Sequence, residues 1–110
     1  MTPKQFQKYL DRDQGRCYHC GTTEALIPHH RSNRGMGGSK LRDVPSNIIT
    51  ICFEFNYLME ADPFQARIAV EKGWKLRAGQ DPLRVPVYDA VDGLGYLLQD
   101  NFERVADANS

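Results

Sequence analysis

Asn47-Ile48-Ile49-Thr50-Ile51-Cys52 limits what this chain can fold into more than any other stretch. Four consecutive β-branched side chains are stiff about χ1 and crowd a helix, so the run is predicted to be a strand. At Phe53 the spacing of apolar residues becomes helical. Residues 53–61 can form one helix, and Asp62-Pro63 supplies an N-cap and first turn for a second, which carries Phe64, Ile68 and Val70 and stops at Gly73. Ala25-Leu26-Ile27-Pro28-His29-His30 reads as an earlier strand, which Pro28 confines to a sheet edge because it has no amide proton to donate. Strand, strand, helix is the central unit.

The 110 residues, 41% hydrophobic and 25% charged, have room for one core around that unit. The predicted fold class is α+β, with a helix over 3–13 in front and a β-hairpin behind. Thr2-Pro3 makes the cap and first turn of the front helix, Phe6, Tyr9 and Leu10 follow at helical spacing, and Gly15 stops it. The hairpin pairs residues 84–88 with 95–98 around Val91-Asp92-Gly93, in an extension spanning 84–106, and 107–110 is read as a frayed tail. One domain over 1–110, with its core in 17–72, is expected. No stretch approaches the roughly 18 apolar residues of a membrane span, and the first residues lack the apolar run of a secretion signal. A soluble, cytoplasmic chain with no membrane partner is expected. Three cysteines cannot all pair with one another, which favours thiols or metal ligands over disulfides.

Lys and Arg number 14, as do Asp and Glu, yet they are unevenly placed. Residues 1–42 hold eight basic against three acidic side chains, residues 43–83 four against six, and residues 84–110 two against five. A basic front is compatible with phosphate binding. It includes the glycine-rich loop from Arg31 to Ser46, where Arg31, Arg34, Lys40 and Arg42 are candidate phosphate contacts and Asp43 is the lone acid. Trp74, Phe64 and Tyr57 belong to the helical apolar pattern and are expected in the core.

The central unit can bring His29 and His30, at the end of the first strand, close to Asn56 and Glu60, which lie four apart on one helix face. Imidazole, amide oxygen and carboxylate together suit a hard or borderline divalent ion with positions open to water and phosphate. A second histidine beside them can act as base. Adjacent residues of a regular strand point to opposite faces, so for both histidines to line one site the strand has to break or twist beside Pro28.

Ile27-Pro28-His29-His30-Arg31, Gly35-Met36-Gly37-Gly38, Pro45-Ser46-Asn47, Ile51-Cys52 and Asn56-Tyr57-Leu58-Met59-Glu60, taken in order, resemble the HNH endonuclease family. The likeness is greatest to its small phage-type members, which have a ββα-metal core. It covers about residues 17–60, and residues 79–87 are similar, less specifically, to the tail of those bacteriophage proteins. The resemblance implies a metal-dependent hydrolase that cuts DNA, in the host cell cytoplasm if the chain is phage-encoded. By position, His30 corresponds to the general base that takes a proton from water, and His29 to a metal ligand. Asn47 corresponds to the residue bracing the loop that holds the base. Asn56 and Glu60 correspond to helix ligands of a divalent Mg, Mn or Ni ion, Asn56 replacing the last histidine as in HNN-type members.

Cys17, Cys20 and Cys52 match three of the four cysteines of the family's structural zinc site, and Phe55 stands at the fourth. His19, inside the tight turn of the first pair, is poorly placed to complete it. The expectation is that zinc has been lost and the thiols pack as small hydrophobes. The alternative function keeps the fold without the chemistry: a decayed HNH-type module that binds DNA or accompanies phage packaging proteins. A third is an interaction domain using the acidic C-terminal part. The oligomeric state stays open.

Overall fold

The computed structural model describes residues 1–32 and 42–107. Among them the chain is an α+β fold of three α-helices and two antiparallel sheets. Helix α1 (Pro3–Arg12) starts from a capping box, in which Thr2 Oγ1 accepts from the Gln5 amide and Gln5 Oε1 accepts from the Thr2 amide. Strand β1 (Leu26–His30) pairs with β2 (Ile48–Cys52), Leu26 opposite Cys52 and His30 opposite Ile48. The expected break beside Pro28 does not occur. Phe53 N–H donates to Ala25 O and Arg31 N–H to Asn47 O, both at 2.8 Å, which places Pro28 in a non-hydrogen-bonded pair where no amide proton is needed.

Helix α2 (Phe53–Ala61) follows β2 directly, and Asp62 caps α3 (Pro63–Glu71) through its side chain to the Phe64 amide. Past α3 the chain turns at Gly73, with φ +77°, where a Cβ would stand 1.9 Å from Pro86 O. The turn brings residues 72–88 together: Tyr88 N–H donates to Lys72 O, and Trp74 Nε1–H to Tyr88 O. The C-terminal part is a three-stranded sheet rather than a hairpin, β3 (Val87–Asp89), β4 (Leu94–Leu98) and β5 (Arg104–Ala106) in that order. β3 starts later than expected because the amides of Arg84 and Val85 both turn back to Asp81 O.

Residues from both sheets, α2 and α3 share one core, with Ile49, Ile51, Phe55, Met59, Ala69, Trp74, Val87 and Leu98 among its members. Tyr57 and Phe64, expected there, are instead 63% and 61% exposed. Phe55 and Met59, four apart, take the inward face of α2, and Tyr57, two residues from each, turns outward. The end of α1 is tied to β2 by a buried ion pair. Arg12 grips both oxygens of Asp13 and donates to Pro45 O and Ile48 O, while Asp13 accepts from the Tyr18 hydroxyl and from the amide and hydroxyl of Thr50. Two charges tolerate such burial only when their donors and acceptors are bonded in this way.

Candidate functional site

Register decides where the two histidines face. In an unbroken strand His29 and His30 leave opposite sides of the β1–β2 sheet. His29 is buried and turns toward α2, its Nδ1 3.0 Å from Asn56 Oδ1 and its Nε2 2.9 Å from Trp74 O. A backbone carbonyl only accepts, so Nε2 carries the proton. Burial pushes this imidazole below its usual pKa, which favours the neutral ring with a lone pair at Nδ1. That lone pair and the Asn56 amide oxygen are two donors of electron pairs at 3.0 Å. A contact of 3.0 Å has the length of an ordinary hydrogen bond, made by the Asn56 amide nitrogen when the amide is turned over, and also the spacing of adjacent ligands around an ion held at about 2.1 Å. The Trp74 carbonyl fixes tautomer and ring orientation, as partners behind metal-bound histidines do. His29 Nδ1 and Asn56 Oδ1 are thus two ligand atoms that could hold a divalent ion.

The pair borders a cleft of about 280 Å³, shared with His30, Glu60, Lys75 and Leu76. Glu60 lies one helical turn beyond Asn56, its side chain 67% exposed and its Oε1 3.5 Å from Lys75 Nζ. It stands at the rim of the cleft as half of an exposed ion pair. Lys75 was not evident from the sequence, because only the turn at Gly73 carries it over α2, and nothing local marks it.

His30 leaves the other face, with Nε2 2.6 Å from Asp43 Oδ1. His30 also lines a second cleft of about 330 Å³, with Lys8, Tyr9, Asp43 and Phe102. It thus stands between two clefts. Asn47, 1% exposed, accepts from the Ser32 amide and donates to Arg42 O, both at 2.9 Å, and so ties together the two segments flanking 33–41.

Arg31 overturns one expectation. It is 1% exposed and donates to the carbonyls of Gly73, Ser46, Pro82 and Val85. Burial pushes its pKa down to about 9, and four carbonyl dipoles stand in for a counter-ion. A guanidinium so committed cannot reach a DNA phosphate. Arg42 donates to Ser32 Oγ, and Arg34 and Lys40 lie outside the described residues.

The Sγ atoms of Cys17, Cys20 and Cys52 lie within 4.8 Å of one another, close enough to hold a metal ion. Cys17 Sγ accepts from the amides of His19 and Cys52, and Cys52 Sγ from that of Phe55. Burial pushes the Cys17 thiol up to about 12, so a metal bound there has to displace its proton. Phe55 shares the core with Cys17 and Cys52, its ring stacked on His19 at 3.6 Å. Comparison with protein families, curated proteins and solved structures finds no match for the chain.

Proposed function

We propose that this chain is a metal-dependent HNH-type endonuclease that hydrolyses DNA phosphodiester bonds, with β1, β2 and α2 as a ββα-metal core. The observation that most supports this reading is the meeting of His29 Nδ1 and Asn56 Oδ1 at 3.0 Å from two different elements, with Nε2 held by Trp74 O. His29 and Asn56, joined by Glu60 once it parts from Lys75, would hold a Mg, Mn or Ni ion. When bound, that ion offsets charge on the phosphate and on the leaving oxygen.

His30 is the general base. Its ring takes a proton from a water as the water oxygen attacks phosphorus in line and the bond to the leaving oxygen breaks; solvent returns a proton to that oxygen. Asn47 holds Ser32 and Arg42, and with them the end of β1, in register. Lys75 and Arg42 would offer positive charge to the DNA backbone.

Supercoiled plasmid incubated with the protein and Mg²⁺, Mn²⁺ or Ni²⁺ should be nicked, and EDTA should abolish the nicking. DNA bound but uncut with all three metals would instead favour the decayed packaging-accessory reading. Neither binding nor cutting would leave an interaction domain as the better account.

A further inference from the structure

We infer that Asp43, the lone acid of the basic loop, positions His30 for catalysis by fixing which ring nitrogen carries the proton, an inference that rests on the nuclease reading above. Asp43 Oδ1 lies 2.6 Å from His30 Nε2, the length of a charge-assisted hydrogen bond. A carboxylate accepts and does not donate, so Nε2 holds the hydrogen and the neutral ring keeps its lone pair at Nδ1. The two nitrogens point to different sides of the ring. Nε2 meets Asp43 where both residues line the second cleft, and His30 is also one of the residues lining the cleft of His29 and Asn56. Among the described residues Nδ1 has no hydrogen-bond partner, which leaves it for a water.

Asp43 is itself held. The residue before it, Arg42, gives its carbonyl to Asn47 Nδ2 at 2.9 Å, so the start of β2 fixes the chain that presents the carboxylate. Acid, imidazole and reacting oxygen then stand in the order of a hydrolytic triad. Nδ1 gains the proton as the water oxygen bonds to phosphorus and the leaving oxygen departs. Asp43 stabilises the resulting imidazolium without taking the proton, which passes from the ring to solvent.

The test compares the full-length parent with Asp43→Ala, Asp43→Asn and Asp43→Glu. Steady-state nicking with Mn²⁺ gives kcat and KM, and the long-range ¹H–¹⁵N spectrum of the metal-free protein, with His30 neutral, reads its tautomer. The Asp43 side chain is 43% exposed, so the variants should fold, and amide spectra matching the parent confirm it. The parent should show the Nε2–H tautomer. Asp43→Ala should give a mixture of tautomers and a kcat lower by roughly 10–100-fold with KM little changed. Asp43→Glu should recover part of the rate, and Asp43→Asn should keep the tautomer but not the full rate. An unchanged tautomer in Asp43→Ala, or an unchanged kcat, overturns the role of Asp43. A parent that cuts no DNA overturns the nuclease reading, and the ring spectrum then still decides whether Asp43 fixes the tautomer.

Discussion

Among the described residues His30 has a hydrogen-bond partner at one ring nitrogen, Asp43 at Nε2, while its neighbour His29 has one at each, the Trp74 carbonyl and the Asn56 amide. The difference suits a proton acceptor beside a ligand. His30→Ala should therefore lower nicking by roughly 10²–10⁴-fold, because a general base acts in the transition state, with DNA affinity and melting temperature close to the parent's. Single-turnover rates on plasmid measure this, and activity kept within a few-fold removes His30 from the mechanism. That the four residues share a cleft could be read from their order along strand, strand and helix. Their partners could not. Trp74 O is a backbone group, and Lys75 and Asp43 reach the site through turns that leave no periodic trace in the sequence.

Among the elements, those with local signals were legible and those held by distant contacts were not. Thr2 and Asp62 cap α1 and α3 where the sequence placed them, and the change of period after Cys52 marks the start of α2. β5 is three residues long, too short to alternate visibly, and exists because it pairs with β4. Arg31 looked like a surface cation because only the folded chain brings four carbonyls around it. Arg31→Met should destabilise the protein by roughly 3–5 kcal/mol in urea unfolding, since it strands those carbonyls without donors. Weakened DNA binding with unchanged stability would instead mark Arg31 as a phosphate contact.

Phe55→Cys tests the thiol cluster through opposing terms. Losing the buried ring costs about 3–5 kcal/mol, whereas a completed structural zinc site contributes on the order of 10 kcal/mol. The variant should bind zinc stoichiometrically and melt above the parent with zinc but below it in EDTA, while the parent carries well under one zinc per chain by elemental analysis. Stoichiometric zinc in the parent would mean that a fourth ligand exists.

The radius of gyration, 12.7 Å, is close to the roughly 13 Å of a packed single unit of this length, and among the described residues no helix is long and apolar enough to cross a membrane. The stability of that unit should depend on pH through its buried imidazoles. Burial pushes the pKa of His29 and of His19 below the usual value. Near pH 6.5 and just below, the unfolded chain binds more protons than the folded one, so stability is full above about pH 6.5 and is lost as pH falls. The melting temperature should be lower at about pH 5.5 than at about pH 7.5, and His19→Phe, which keeps the stack on Phe55, should remove part of the drop. Equal melting temperatures at the two pH values would show that these rings do not titrate differently on folding.

The central claim, a divalent ion held between β1 and α2, is tested most directly by titrating Mn²⁺ into the ¹⁵N-labelled full chain and recording where paramagnetic broadening begins. It should begin below one equivalent at His29, Asn56, Glu60 and Trp74, and the same titration of Asn56→Ala should need far more Mn²⁺. Broadening confined to the acidic C-terminal residues, or an Asn56→Ala titration identical to the parent's, would contradict it.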